Sequence, residues 1–334
     1  MTLRAAAIRA VATATYQTGA IRPLVAAVNR ATGAASFSVL TFHRVNDDGD
    51  PFLPALPTRV FESWVSHIAR HYRVLTVEDL AAQAARGRVP VNALALTFDD
   101  GYRDNLTHAA PILARYGLTA TVFLTTGFIG TGEIPWFDRL AIAFRSTGKN
   151  AVALPGGGTA PLASVADRLR AVEATLGRLK RLPDEERRAR LEDLIDHLGA
   201  PGAGERKGTM LSWDDVHALR GLGLSVGAHT VSHPILARMS AASAWEEIHG
   251  SKTAIERALG APVRGFAYPN GGPDDYTPET AALVREAGFA CAVTTRRGLN
   301  SPGTPPFELR RGGPSEFHLP TFALKLAYYR LRGA

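Results

Sequence analysis

The sequence lacks several features that would place it in particular protein classes. Among its 334 residues Cys291 is the only cysteine, so no disulfide can form within the chain. No apolar run reaches the ~18 residues of a membrane span, and Arg4 and Arg9 interrupt the Ala-rich N-terminus, which therefore lacks a signal-peptide core. Only 4 Trp and 8 Tyr occur, never interleaved with a basic run, which argues against a nucleic-acid-binding protein.

The charge balance is basic, with 38 Lys and Arg against 31 Asp and Glu, and the net charge is +7 at pH 7. A basic surface attracts anionic polymers and membrane surfaces without choosing between them. Both ends of the chain are apolar and basic at helical spacing, so they either pack on the domain or lie on an anionic membrane surface. We therefore expect a cytoplasmic protein or one that is peripheral at the inner membrane face. No pattern predicts an oligomeric state.

Short apolar runs alternate with amphipathic helical patterns along the chain. Alternation of this kind is typical of parallel strands joined by helical crossovers, and six or seven such units predict a closed or nearly closed barrel. The predicted strands are Phe37–Phe42, Leu94–Phe98, Thr119–Leu124, Leu224–His229, Arg264–Tyr268 and Ala290–Thr294. The predicted helices are Arg59–His71, Val77–Arg86, Asp104–Tyr116, Trp213–Gly221, Ala241–Leu259 and Pro278–Ala287.

One long segment departs from this alternation. Between Thr125 and Leu224 no strand is predicted: the stretch AVALPGGGTAPLAS is interpreted as a loop, and two charged amphipathic helices follow, separated near Pro183. We interpret residues 137–210 as a helical insertion whose charged residues form a solvated helix face. The predicted organisation is an N-terminal helical segment (1–34), a barrel (35–315) that contains the insertion, and a C-terminal helical tail (316–334).

Two adjacent carboxylates end the second predicted strand, in LALTFDDGYRDN. Gly101 permits a sharp turn directly after Asp99 and Asp100. The C-terminal ends of parallel strands form the active-site face of a barrel, so both carboxylates are candidates for chemistry. The alternative is that Asp100 or Asp104 caps the following helix.

Two histidines follow another predicted strand, in VGAHTVSHP. Pro234 disfavours helical geometry at His233, so His229 and His233 are expected in a loop at the strand end. Two imidazoles and one carboxylate make a three-ligand metal site with an open position, and this set suits Zn²⁺ while Co²⁺, Ni²⁺ and Fe²⁺ accept similar ligands. A purely structural role for the pair is the alternative.

A third polar strand end occurs in VRGFAYPNGG, where Gly271 and Gly272 either leave room for a ligand or form a plain turn. The motifs TFDDG, HTVSHP and YPNG, in this order, resemble the polysaccharide deacetylases of carbohydrate esterase family four, which include the nodulation-type chitooligosaccharide deacetylases. The resemblance covers residues 36–312 without the insertion. It implies a distorted, seven-stranded (β/α) barrel and metal-dependent removal of N-acetyl groups from an N-acetylated polysaccharide or oligosaccharide.

The resemblance also implies roles for particular residues. Asp99 is the expected base, and Asp100, His229 and His233 are the expected ligands of a divalent metal. The third motif departs from the family's usual R-P-P-Y-G. Asn270 takes the position whose backbone N–H helps to bind the oxyanion.

Ala267 takes the arginine position of that third motif, so the charge that orients the base is missing there. Arg311 or Arg310, in FELRR, could supply it from another strand end, whereas Arg264 lies at the start of its strand and is a weaker candidate. The missing arginine leaves open a non-catalytic carbohydrate-binding protein on the same barrel.

The family's last motif, an L-L-x-H strand that supplies the general acid, is absent after Ala290. A similar pattern, VLTFHRV, stands at residues 39–45. Its early position resembles the permuted deacetylases of biofilm poly-N-acetylglucosamine, which makes His43 the candidate acid; a structural histidine is the alternative. Arg44, on the opposite strand face, is expected in a structural ion pair.

Three aromatic residues are candidates for binding a sugar. Tyr102 and Tyr268 follow strands and could line the cleft, and Trp136, in EIPWFDRL, could stack on a sugar ring or instead anchor the insertion. The basic ends also leave open a lipid-linked sugar or a nascent exopolysaccharide as the substrate.

Overall fold

The computed structural model describes residues 3–32, 36–200, 206, 208–313 and 316–332. The strands of this part are β1 (Ser38–Phe42), β2 (Arg73–Val74), β3 (Ala93–Phe98), β4 (Thr121–Leu124), β5 (Ala151–Ala153), β6 (Thr159–Pro161), β7 (Ser225–Ala228), β8 (Gly265–Ala267) and β9 (Cys291–Val293). The helices are α1 (Leu3–Gln17), α2 (Ile21–Thr32), α3 (Thr58–His71), α4 (Val77–Ala85), α5 (Ala110–Arg115), α6 (Trp136–Ser146), α7 (Val165–Leu179), α8 (Asp184–Leu198), α9 (Trp213–Gly221), α10 (Ala241–Leu259), α11 (Pro278–Glu286) and α12 (Leu319–Arg332).

Most predicted elements are confirmed, with ends that differ by one or two residues. The predicted helix Asp104–Tyr116 differs more, because it begins as a π-helical turn over Asn105–Ala109 before α5. Local patterns place the elements because the helices have an amphipathic period and the buried strands are short, continuous apolar runs.

A parallel sheet runs through the molecule in the order β1-β3-β4-β7-β8-β9, with β2 beside β3. Side chains of β3 alternate between two environments. Leu94, Leu96 and Phe98 face the helix layer, whereas Ala93 and Ala95 join a second cluster inside the curved sheet. This architecture confirms the predicted α/β fold with a distorted (β/α) barrel.

The gap between β9 and β1 is bridged by the chain that leads to α12. The backbone N–H of Leu309 donates to Ala292 O at 2.9 Å, and the N–H of Gly312 donates to Val39 O at 3.0 Å. This irregular segment takes the place of a closing strand, so the barrel is distorted at this point. It also carries Arg311 to the position between β9 and β1.

The insertion packs in a separate hydrophobic cluster, to which α6, α7, α8 and the hairpin β5–β6 contribute together with side chains of the barrel loops. The prediction of a loop over AVALPGGGTAPLAS is therefore wrong. Gly156, Gly157 and Gly158 all adopt positive φ and make the tight turn between the two strands. Each strand has three residues, too few for an alternating pattern to reveal it. The predicted interruption of the two helices near Pro183 is confirmed.

The terminal helices pack on the domain. Helix α12 contacts α1, α2 and α3, and the ring of Phe322 stacks on Trp64 with 4.1 Å between centroids. In the part of the chain that the structure describes, none of the helices is long and apolar enough to cross a membrane.

Candidate active site

The two motif-bearing strands, β3 and β7, end at the same edge of the sheet, on either side of β4. Asp99 follows β3 directly, and its N–H donates to Phe42 O at 3.0 Å. His229 follows β7 in the same way, and its N–H donates to Leu124 O at 2.9 Å. Neighbouring strands therefore hold the backbones of both residues in place.

Left-handed backbone conformations concentrate around these strand ends. Four of the five non-glycine residues with positive φ in the described chain lie here, namely Asp100 (73°), Thr230 (66°), His233 (57°) and Asn270 (59°). Each such conformation costs on the order of 1 kcal/mol or more, and strain of this kind clusters at functional sites. The reversal at Asp100 also explains how two adjacent carboxylates can face one site.

Hydrogen bonds hold the strained histidine loop. Glu247, on α10, accepts the N–H groups of Val231 and Ser232, each at 2.8 Å. Thr230 Oγ1 accepts the N–H of His233 at 3.1 Å. These contacts satisfy backbone donors that the tight turn would otherwise leave unpaired. No sequence motif indicated this role for Glu247, because nothing in the pattern of α10 distinguishes it from a surface acid.

Asp100, His229 and His233 form a buried group that could hold one metal ion. His229 Nε2 and His233 Nε2 lie 3.6 and 3.4 Å from Asp100 Oδ1, and one ligand atom from each residue lies within 4.8 Å of the others. His229 Nδ1 donates to Ala267 O at 2.7 Å. In the neutral ring this bond leaves the Nε2 lone pair directed towards the group.

The protonation chemistry of this group fits a cation. Burial and the charge of Asp99 raise the pKa of Asp100 well above its ordinary value, whereas burial lowers the pKa of His229 to about 4 and lowers that of His233 well below its ordinary value. Asp100 Oδ1 is buried and has no hydrogen-bond partner among the described residues. A bound divalent cation would satisfy this oxygen and both imidazoles, so the donor set fits a metal.

Arg311 lies against the candidate base. Its Nη1 and Nη2 donate to Asp99 Oδ1 and Oδ2 at 2.6 and 2.7 Å, and its Nε donates to Thr294 O at 2.8 Å. Burial raises the pKa of Asp99, but the charge and hydrogen bonds of the Arg311 guanidinium, together with His229 and His43, outweigh this effect and hold the pKa well below its usual range. Arg310 and Arg264 are exposed. Arg311 thus supplies the charge whose absence from the third motif motivated the non-catalytic alternative.

His43 opens onto the same cavity as Asp100. This cavity has a volume of about 620 Å³, and residues of the loops after β1 and β3 and of α6 and α7 contribute to its lining. The surrounding protein lowers the pKa of His43; the charge of Arg311 adds to this shift, and the charge of Asp99 opposes it. The His43 ring is nevertheless exposed to the cavity. His43 is therefore not a core histidine, and it lies near the two aspartates.

Arg44 forms the structural ion pairs expected of it, although it follows the end of β1 and lines the same cavity as His43. Its guanidinium nitrogens lie 3.8 Å from Asp104 and 3.6 Å from Asp138, and the group covers the ring of Tyr102 at 4.4 Å from the centroid. Tyr102 lines the cavity, and its hydroxyl donates to Asp138 Oδ2 at 2.9 Å. Asp104 also accepts from the side chain of Asn46 at 2.7 Å, so it serves this network rather than a helix cap.

The placement of Tyr268 in the cleft is wrong. Tyr268 is fully buried in the helix-facing core, where its hydroxyl donates to Phe307 O at 3.0 Å and its ring stacks on Tyr276 with 4.4 Å between centroids. Strand alternation is the reason, because Phe266 and Tyr268 face the helices while Ala267 faces inward.

Trp136 is also buried and cannot stack on a sugar. Its Nε1 donates to His233 O at 3.0 Å, and the guanidinium of Arg187 lies 4.5 Å from its ring centroid. The residue therefore anchors the insertion to the histidine loop, which was the alternative interpretation of EIPWFDRL. Its neighbour Phe137, which no sequence motif indicated, lines the cavity, and its ring centroid lies 5.0 Å from that of His233.

Asn270 begins the turn after β8. Its carbonyl accepts from Thr295 Oγ1 at 2.5 Å, whereas its N–H forms no hydrogen bond with any residue that the structure describes. A Cβ on Gly271 would lie 2.9 Å from Thr295 N, so this tight turn requires glycine. A free backbone donor in this position is available to a ligand.

Comparison with known proteins agrees with the geometry. A family model described as polysaccharide deacetylase matches residues 86–292. The putative polysaccharide deacetylase YxkH of Bacillus subtilis is 29% identical over 97 residues, a match that covers 29% of this chain and 34% of that relative, about a third of its length.

Two solved structures share the fold. The Streptococcus pyogenes deacetylase PplD, in complex with acetate, aligns with a TM-score of 0.58 and 18% identity, covering 84% of this chain and 92% of that one. IcaB from Ammonifex degensii aligns with a TM-score of 0.57 and 20% identity, covering 90% and 98%.

Proposed function

Because the chain belongs to the polysaccharide deacetylase family, we propose that it is a metal-dependent hydrolase of N-acetyl groups. Its substrate would be an N-acetylglucosamine-type residue of a glycan, and its products would be acetate and the free amine. The observation that carries the proposal is the Asp99–Arg311 pair beside the group of Asp100, His229 and His233.

We propose Asp100, His229 and His233 as the ligands of a divalent metal, with Zn²⁺ the best match to two imidazoles and a carboxylate. When bound, such an ion supplies Lewis acidity for the acetamide carbonyl. Asp99 would accept the proton of the attacking water. Arg311 keeps Asp99 ionised and fixes both of its oxygens, so that the carboxylate stays ready to accept a proton.

His43 would donate a proton to the departing amine, which is a poor leaving group unless it is protonated. A free imidazole has a pKa close to neutral pH, and the charge of Asp99 opposes the lowering of the His43 pKa by burial, which favours the protonated ring that this step needs. The access of the His43 ring to the cavity that Asp100 also lines supports this role. The N–H of Asn270 would donate to the oxyanion that forms when the carbonyl is attacked.

An acetate-release assay on N-acetylglucosamine oligomers, combined with metal analysis, tests the proposal. We expect acetate release that chelation abolishes and added Zn²⁺ restores. A protein that holds stoichiometric metal and binds the oligomers without releasing acetate would instead support the non-catalytic alternative.

A further inference from the structure

The cavity at the candidate active site has two chemically different ends. His43, Asp100 and Tyr102 lie at one end, and the rest of the wall is mostly apolar. The apolar side chains come from the loop after β1 and from α6 and α7, and they include Phe52, Leu53, Phe137, Leu169, Val172 and Leu176. Such a wall favours an occupant with a substantial apolar part over a fully hydrated sugar chain.

Helix α7 and the residue that follows it present an ordered face to this cavity. Leu169, Val172, Leu176 and Lys180 all line it, and their spacing of three or four residues places them on one side of the helix. Lys180 interacts electrostatically with Asp100 and His43, so its end of α7 lies towards the candidate metal ligands. Leu169 lies about 16 Å further along the axis. A ligand bound along α7 would therefore contact the Lys180 ammonium near the candidate metal ligands and an apolar surface further along the helix.

Lys180 is available to a ligand. Its side chain is half-buried, and its ammonium forms no hydrogen bond or ion pair with any residue that the structure describes. The other charged groups on this wall have different roles: Asp100 belongs to the candidate metal-ligand group, Arg44 pairs with Asp104 and Asp138, and Glu173 is exposed. The carboxylates of Asp275 and Asp100 act on this ammonium only from beyond ion-pair distance, and a half-buried cation with no carboxylate in direct contact favours the binding of an anion.

We propose that the substrate is an N-acetylated sugar joined through a negatively charged phosphodiester to an apolar chain. Lys180 binds the phosphodiester, and the apolar face of α7 binds the chain together with Phe52 and Phe137. This inference rests on the proposed function and specifies its substrate class. Lys180 and Leu176 are then determinants of specificity, apart from the residues that would carry out hydrolysis.

Four N-acetylglucosamine compounds separate the contributions of charge and chain. They are the 1-(decyl phosphate), the neutral decyl glycoside, the 1-(methyl phosphate) and the neutral pentamer. We expect kcat/KM for the decyl phosphate to exceed that for each of the other three by about tenfold or more. Equal or faster hydrolysis of the pentamer would overturn the inference while leaving the proposed function intact. Acetate release from none of the four would instead overturn the proposed function.

Two variants test whether Lys180 and the apolar face of α7 cause this substrate preference. Lys180→Met should raise KM for the decyl phosphate about tenfold and leave KM for the decyl glycoside unchanged. Leu176→Ala should raise KM for both decyl compounds and leave KM for the methyl phosphate unchanged. Lys149→Met and Val165→Ala are the matched controls, since both residues are exposed and neither lines the cavity. Equal losses on all four compounds would contradict a role in specificity.

A binding measurement makes the test independent of turnover. Calorimetric titration of Asp99→Asn with the decyl phosphate should show about tenfold weaker binding once Lys180→Met is added. Unchanged affinity would overturn the assignment of Lys180.

Discussion

Arg311 and Asp99 form a buried, two-pronged ion pair although 212 residues separate them in the chain. Arg311 lies on the irregular segment between β9 and β1, and Asp99 lies at the end of β3. Through this pair, the segment that closes the barrel contacts Asp99, the candidate base.

Replacing Arg311 should change the pH dependence of hydrolysis. Arg311 lowers the pKa of Asp99, so Arg311→Lys, which loses the two-pronged contact, should raise that pKa. A base must be ionised to act, and the acidic limb of the kcat/KM profile should therefore move to higher pH, with a lower plateau. The profile for Arg310→Lys, at an exposed neighbouring position, should match that of the unmodified protein. An unshifted acidic limb in Arg311→Lys would contradict this role.

Asp99→Asn should separate metal binding from chemistry. The amide cannot accept a proton, so acetate release should fall by a factor of about 10² to 10⁴, while metal content stays that of the unmodified protein. Elemental analysis and an acetate assay on the same preparation give both quantities. Activity within a few-fold of normal would exclude Asp99 as the base.

His229→Ala should lose metal and activity together. The variant removes one of three convergent ligand atoms, and elemental analysis after dialysis should show much less than one equivalent of Zn²⁺. His217→Ala is the matched control, because His217 is exposed on α9. Retention of a full equivalent of metal by His229→Ala would show that the ion binds elsewhere.

Comparison of an amide substrate with an ester substrate should reveal the role of His43. We expect His43→Ala to slow amide hydrolysis by about 10²-fold or more, because the amine departs only after protonation. Hydrolysis of an aryl acetate should be much less affected, because a phenolate leaves without a proton. The control His197→Ala, at an exposed position on α8, should affect neither substrate. Equal losses on ester and amide would point to a structural role for His43.

Trp136→Ala should destabilise the fold rather than weaken sugar binding alone. The side chain is buried and donates to His233 O, and truncation of a buried Trp typically lowers the free energy of unfolding by ~3–5 kcal/mol. Urea unfolding of this variant and of Trp245→Ala, where the ring is only partly buried, measures the difference. Unchanged stability with a raised KM would restore the sugar-stacking role.

The sequence by itself determined where the polar strand ends lie. Apolar runs followed by DDG and by HTVSHP define strands and their C-terminal ends, and parallel strands must bring those ends to one edge. Local periodicity also indicated the helices that flank them. These features depend on neighbours a few residues away, and sequence spacing records them directly.

The tertiary structure alone decided which distant residues complete the site. Nothing local distinguishes Arg311 from Arg310, because the choice depends on how one irregular segment crosses between β9 and β1. Tyr268 and Tyr102 both follow strands, yet the direction of each side chain places one in the core and the other on the cavity. Lys180 reaches the cavity only because α7 packs across it. Each outcome depends on packing between residues that are far apart in the chain, and local sequence patterns do not reveal such contacts.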